Sequence, residues 1–356
     1  MAGARGIASA DTRLASIEVM RVVSAFAIVG IHTTPPLSGL LGRLGLARVS
    51  AVGADLYRFS VPFFLASAGY FLGCAQLDES KARRAITKRV TRLMWIFLFW
   101  ALVFNVVPLD WHKELFLRGP LGMVQHQLGV QYEAWRAAPV SFAFEGGGGF
   151  HLWFLSALAT AYALIGLAQR LGFARWLLPL AVLLYVWSVV SLAYAPCWNF
   201  TVPEPPLGAY SVNAALLPVV AGWKLGRREW RAPTLTAALL VTAVAGAASV
   251  FELWGVSHLF GVPKDRGWVF STWLLGLGVL LIAIARPNLG RGSWLAQLGK
   301  YTLGIYLLHP LFDAPAFSIA ARLPFGPDLV TLTVFALALV ATVVVSRLSW
   351  AKKVLT

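Results

Sequence analysis

Ten stretches of predominantly apolar residues run along the chain, near 17–36, 55–75, 93–109, 150–169, 176–195, 210–226, 233–254, 268–286, 301–320 and 328–349. Roughly twenty apolar residues is what an α-helix needs to cross the ~30 Å hydrocarbon core of a bilayer. The composition leaves little else to build from: 58% of the residues are hydrophobic and 13% charged, whereas a soluble domain carries about 25% charged residues. The chain therefore reads as an all-α, polytopic membrane protein with about ten transmembrane helices. Its 356 residues form a single domain with no fixed-period repeat.

An even number of spans puts both termini on one side. Counting Arg21, 21 of the 30 Lys and Arg residues fall on that side and 9 on the other. Positive residues collect in cytoplasmic loops, so both termini are assigned to the cytoplasm. The same rule accounts for the net charge of +15 without nucleic acid as a partner. The apolar run after Arg21 continues into Pro35-Pro36 without a small-residue cleavage site, so no cleaved signal is expected. Cys74 and Cys197 form no Cys-x-x-Cys pair and lie on opposite sides, which excludes a disulfide or a cysteine metal site between them. Residues 110–149 read as one long outer loop, rich in His and Glu and ending in Glu145-Gly-Gly-Gly-Gly-Phe-His151.

Polar groups inside such a chain are expensive. An ionisable residue in the bilayer costs at least about 2.5–3.5 kcal/mol on insertion scales. Arg21 and His32 both lie in the first window. Eleven steps at roughly 100° per residue return to nearly the same helix face, about 16 Å along the axis. A polar stripe toward the outer leaflet is one reading. A snorkelling Arg with a satisfied His near a helix end is the other. Arg89 and Arg92 lie where a basic segment enters the third window. At i,i+3 their guanidiniums face one way and offer forks suited to phosphate, although on spacing alone topology signalling and contact with anionic lipid are the favoured reading of the pair. His151 opens the fourth window behind four glycines, which permit a sharp bend or simply a solvated hinge. Tyr306 and His309 close the ninth window ahead of Pro310, a residue that ends or kinks a helix. No Walker loop, Gly-x-Ser-x-Gly elbow or His-Glu-x-x-His occurs, so nothing points to ATP hydrolysis, a serine hydrolase or a zinc protease.

Taken in order, Arg21-x10-His32, Arg89-x-x-Arg92, His151-Leu-Trp-Phe-Leu155 and Gly304-Ile-Tyr-Leu-Leu-His-Pro310 resemble the motifs of the integral membrane acyltransferase family 3. That family O-acylates bacterial surface carbohydrates. The resemblance covers nearly the whole chain. It implies an O-acetyltransferase of the bacterial inner membrane, with cytoplasmic acetyl-CoA as co-substrate and no metal. The implied acceptor is a sugar hydroxyl of an exopolysaccharide, an O-antigen or a lipid-linked precursor at the outer face. Carried over by position, His32 and Arg21 are the catalytic pair and Arg89 and Arg92 bind the donor. His151, Glu145, Tyr306 and His309 are possible additions to the site. Some relatives carry a fused extracytoplasmic domain and this sequence shows none, so separate polysaccharide synthesis or export machinery is an expected partner. Two other functions fit a ten-span chain: a transporter or flippase for a lipid-linked saccharide, and a structural subunit of an export complex docking through residues 110–149.

Overall fold

The computed structural model describes residues 14–33, 35–77, 79–198, 200–231, 233–261, 267–324 and 326–355. Of the cations in the topology tally, Arg5, Arg13, Lys264 and Arg266 lie outside the described residues. Seventeen α-helices and no strand occur among those residues. In chain order they are α1 (Ala15–His32), α2 (Ser38–Arg43), α3 (Ala47–Leu56), α4 (Ser60–Ala75), α5 (Glu79–Val106), α6 (Trp111–Ala137), α7 (Pro139–Phe144), α8 (Trp153–Arg170) and α9 (Leu177–Leu192). Then follow α10 (Val212–Gly226), α11 (Leu235–Phe260), α12 (Thr272–Ala285), α13 (Trp294–Leu298), α14 (Thr302–Leu308), α15 (Pro310–Ala320), α16 (Gly326–Val345) and α17 (Ser349–Leu355).

Each apolar window centres on helix, but the windows are not equal. Among the described residues six helices are long and apolar enough to cross a membrane, and a seventh span is made if Trp294–Leu308 and Pro310–Ala320, bent by 77°, count together. The windows at 55–75, 210–226 and 268–286 become α4, α10 and α12, of 16, 15 and 14 residues. At 1.5 Å per residue these reach only about 21–24 Å. They can be short because they face other helices more than lipid. Nearly all of α10 is buried.

The contact between α4 and α10 sets that core. Gly69 and Gly73 on α4 meet Gly222 and Gly226 on α10, each pair four residues apart. A β-carbon on Gly69 would stand 2.0 Å from the Val219 carbonyl oxygen, and one on Gly222 1.9 Å from that of Ala66. Gly73 and Gly226 are equally tight, at 2.3 and 2.1 Å from the Trp223 and Tyr70 oxygens. Small residues spaced this way let two backbones touch where no hydrophobic effect draws helices together. One end of the contact is locked by polar groups. Trp223 Nε1 donates to Gln76 Oε1 at 2.6 Å, and the Gln76 and Gln169 amides exchange hydrogen bonds at 3.1 and 3.2 Å, tying α8 to the pair.

Residues 110–149 correct the expectation of a loop. Most of the segment is helix α6, followed by the short α7. The apolar-window criterion misses α6 because charges and amides interrupt its apolar residues. Gly119, at φ 67° and ψ 174°, breaks α6 just before Pro120. Glu114 pairs with Arg118 on its own side of the break at 2.6 Å and with His126 across it at 3.3 Å. Trp111 Nε1 donates to the Leu311 carbonyl at 2.8 Å and Gln127 Nε2 to that of Phe104 at 2.8 Å. The segment is thus fastened to α15 and α5. At the other end of the molecule α17 folds back onto α5, with Ala351 and Leu355 buried and Trp100 Nε1 donating to the Val354 carbonyl at 3.1 Å.

Candidate active site

Three histidines meet where three chain segments end. His32 is the last residue of α1, His151 lies in the 3₁₀ turn Phe150–Leu152 that leads into α8, and His309 stands at the break between α14 and α15. His32 stacks on His309 with ring centroids 5.4 Å apart and 26° between planes. His309 meets His151 edge-on at 5.7 Å. Phe150 closes on His32 at 4.9 Å, and Phe104 on His151 at 4.8 Å. His309 and His151 are buried, whereas His32 is exposed. The cluster therefore has one accessible member backed by two enclosed ones.

The break at Pro310 follows from covalent chemistry. Proline has no N–H, so the Tyr306 carbonyl four residues earlier loses its helical partner. His309 takes that oxygen with its own side chain, Nδ1 to oxygen 2.7 Å. A carbonyl only accepts, so Nδ1 carries the proton and a neutral His309 leaves Nε2 as a lone pair. That Nε2, like both ring nitrogens of His151, is buried with no hydrogen-bond partner among the described residues. Leaving a buried polar atom unpaired costs about 1–3 kcal/mol. Such orphans call for an explanation, and a reaction site is one.

The glycine run is a buried wedge, not a solvated hinge. Gly146, Gly147 and Gly148 have φ of 135°, 57° and 104°, conformations that side chains disfavour. Asn105 on α5 pins the run by donating Nδ2 to the Gly147 carbonyl at 2.6 Å, and a β-carbon on Gly148 would stand 2.6 Å from that same nitrogen. This close approach delivers His151 to the cluster. The Tyr306 hydroxyl then donates to the His151 carbonyl. Changing Tyr306 to Phe removes that bond at a cost of about 0.5–1.5 kcal/mol. It should leave the protein folded with reduced activity, which thermal denaturation and a turnover assay on the same preparation check together.

A cavity of about 330 Å³ has Tyr306 in its wall. Its walls are mostly apolar, with Ile28, Phe64, Leu155 and Leu158 among them. Arg21, Arg89 and Arg92 also line it. Arg89 donates to the Phe71 and Ala85 carbonyls at 3.3 Å, so it also ties α5 to α4. Arg21 pairs with Glu18 at 3.2 Å. Beyond Arg21, Arg92 and Leu303, which line both spaces, a wider chamber of about 740 Å³ opens among Lys300, Arg347 and Lys352.

The structure thus brings His32, His151, Tyr306 and His309 together, and Tyr306 shares the wall of the cavity with Arg21, Arg89 and Arg92. Glu145 is placed elsewhere, against Gly208 on the loop before α10. Partial burial, and secondarily the nearby Glu204, push its carboxyl above the usual range. Among the described residues no three His, Cys, Asp or Glu are placed to hold a metal ion. Sequence reasoning missed Asn105 and the cations Lys300, Arg347 and Lys352. Each of those cations looks like an ordinary inner-end charge until the fold shows which helix ends converge.

No curated protein and no solved structure matches the chain. The family model described as an acyltransferase domain matches residues 14–350. With that match added to the ordered motifs and the helical membrane architecture, the chain belongs to the acyltransferase 3 family.

Proposed function

We propose that this membrane acyltransferase moves an acetyl group from cytoplasmic acetyl-CoA to a sugar hydroxyl at the outer side of the bacterial inner membrane. The acceptor is a cell-surface or exported polysaccharide or its lipid-linked precursor. The observation that carries the reading is a pair of adjoining pockets that share Arg21, Arg92 and Leu303. A basic chamber leads past Arg21 and Arg92 into a narrow apolar cavity with Tyr306 in its wall, beside a histidine cluster whose His32 is exposed. A CoA thioester has that sequence of properties: a charged nucleotide, a thin pantetheine arm and a small acyl tip.

In this mechanism His32 takes the proton of the acceptor hydroxyl as the oxygen attacks the thioester carbonyl. The tetrahedral intermediate collapses with cleavage of the C–S bond, and the proton passes to the departing CoA sulfur. Buried His309 orients His32 through the stack. Arg21 lies about 16 Å along α1 from His32 at 1.5 Å per residue. It therefore serves the donor's arm and phosphates rather than the oxyanion. Attack by His32 itself, through an acyl-histidine, uses the same residues.

The reading is tested with purified protein, labelled acetyl-CoA and a saccharide acceptor. CoA-dependent labelling of the sugar supports it, and absence of both CoA binding and transfer in folded protein overturns it. Arg92→Ala should raise the KM for acetyl-CoA about tenfold or more while sparing kcat, since a hydrogen bond to a charged group contributes about 1.5–3 kcal/mol. An unchanged KM removes Arg92 from the donor site.

A further inference from the structure

Helix α6 bends sharply at Gly119 and Pro120. Glu114 and His126 are twelve residues apart, which is about 18 Å along a straight helix, yet their side chains meet at 3.3 Å. The two halves therefore fold toward each other, and residues 115–125 form the elbow between them. Phe116, Leu117 and Leu121 in that elbow are 90%, 71% and 70% exposed. Its single charged residue, Arg118, is paired with Glu114 at 2.6 Å. The two stems, by contrast, are fastened to protein. Trp111 Nε1 donates to the Leu311 carbonyl, and His112 Nε2 lies 3.2 Å from Ser318 Oγ, both on α15. Gln127 Nε2 donates to the Phe104 carbonyl on α5. Further along the second stem, Tyr132 and Trp135 are exposed with ring centroids 6.0 Å apart.

We infer that the α6 elbow is a membrane-inserted tip, with Phe116, Leu117 and Leu121 among the lipid acyl chains of the leaflet nearer the histidine cluster. The surface around it points to lipid as the occupant. The stems are tied to α5 and α15, which present exposed apolar side chains of their own: Leu98 and Leu102 on the first, Phe317 and Ile319 on the second. Helix α5 is long and apolar enough to cross a membrane, so its exposed apolar face is a lipid face, and the elbow continues it. The Glu114 partner lowers the cost that a lone Arg118 would meet in hydrocarbon. Tyr and Trp collect at the membrane–water interface, so Tyr132 and Trp135 set the second stem at headgroup depth. Apolar residues dipping below a polar stem is how interfacial helices bind a bilayer. The elbow also bears on the site. Its stems hold Phe104, whose ring lies 4.8 Å from His151, and the helix that begins just after His309. The depth of the histidine cluster in the membrane is thereby fixed to lipid. A second copy of this chain is the other apolar surface that could cover the elbow, and the test separates the two.

The experiment places a polarity-sensitive nitrobenzoxadiazole label at single cysteines of the full chain, with Cys74→Ser and Cys197→Ser removing the native thiols. Phe116→Cys and Leu121→Cys mark the elbow independently, and Glu133→Cys on the second stem is the aqueous control. Each protein is reconstituted in phosphatidylcholine nanodiscs. Quenching by phosphatidylcholine bearing a nitroxide on its acyl chain is compared with quenching by iodide in the buffer. Labels at positions 116 and 121 should be quenched at least threefold more strongly by the nitroxide lipid than by iodide, and the label at position 133 should show the reverse. Agreement between the two elbow labels guards against a local defect caused by either substitution. Iodide quenching at the elbow as strong as at position 133 overturns the inference, because the tip then stands in water. Protection of both elbow labels from both quenchers overturns it too, because the tip is then covered by protein, and two copies per disc would identify that cover as a second chain.

Discussion

Replacing His32 by alanine is expected to abolish acetyl transfer while leaving an intact, membrane-inserted protein that still binds CoA. The expected loss is about 10²–10⁴-fold if His32 is a general base, and complete if it is the nucleophile. The fold should tolerate the change because His32 is exposed at the end of α1, where its ring meets Phe150 edge-on and stacks on His309. The helix is held elsewhere. Ser16 donates to the Ala283 carbonyl at 2.7 Å, and Ile17, Val22, Ala25, Ile28 and Val29 are buried. The assay is label transfer by wild type and variant prepared side by side, with CoA affinity measured on both. Turnover above a tenth of wild type, with affinity unchanged, would remove His32 from the chemistry. Loss of CoA binding along with turnover would mean that the change disturbs the donor path instead.

The second large effect lies far from any reacting atom. Gly222→Val should yield protein that fails to assemble and elutes as aggregate after detergent extraction. The first carbon of the new side chain would already stand 1.9 Å from the Ala66 oxygen, and the obstacle is backbone, which cannot rotate away. Overpacking a core by side-chain contacts typically costs 1–3 kcal/mol, so a collision with backbone belongs at or above the top of that range. Gly129→Ala is the matched control. A β-carbon there meets nothing within 4 Å, and such a change is worth about 0.4–1 kcal/mol of stabilisation where the backbone permits it. Monodisperse Gly222→Val protein with wild-type thermal stability would show that α4 and α10 do not touch as described.

How much of this was legible in the sequence depended on range. Apolar length marked every window that became a helix, because burial against lipid or neighbours needs only local composition. The same reasoning equated each window with a full span, and α10 shows why that overreaches. A 15-residue helix suffices when other helices supply its surroundings. Residues 110–149 escaped because an amphipathic helix with a glycine break has no long apolar run to notice. At the site, the motif spacing singled out His32, His151, Tyr306 and His309 separately, and the fold places them together. Glu145 looked equivalent, being six residues from His151, yet the run of positive-φ glycines turns the chain and leaves it against Gly208. Lys300, Arg347 and Lys352 were counted as topology charges. Nothing local distinguishes an inner-end cation that meets four others from one that meets water.

The bend at Pro310 carries a consequence for how the site is inherited. A histidine's tautomer is commonly governed by a neighbouring side chain, which a single point change can swap or delete. Here the partner is a main-chain oxygen, made available by an N–H that proline does not possess. The address of the His309 proton is therefore written in two adjacent residues and in no third side chain. His309 and Pro310 form a self-contained cassette: moved as a pair they carry their own protonation pattern, and separated neither retains it.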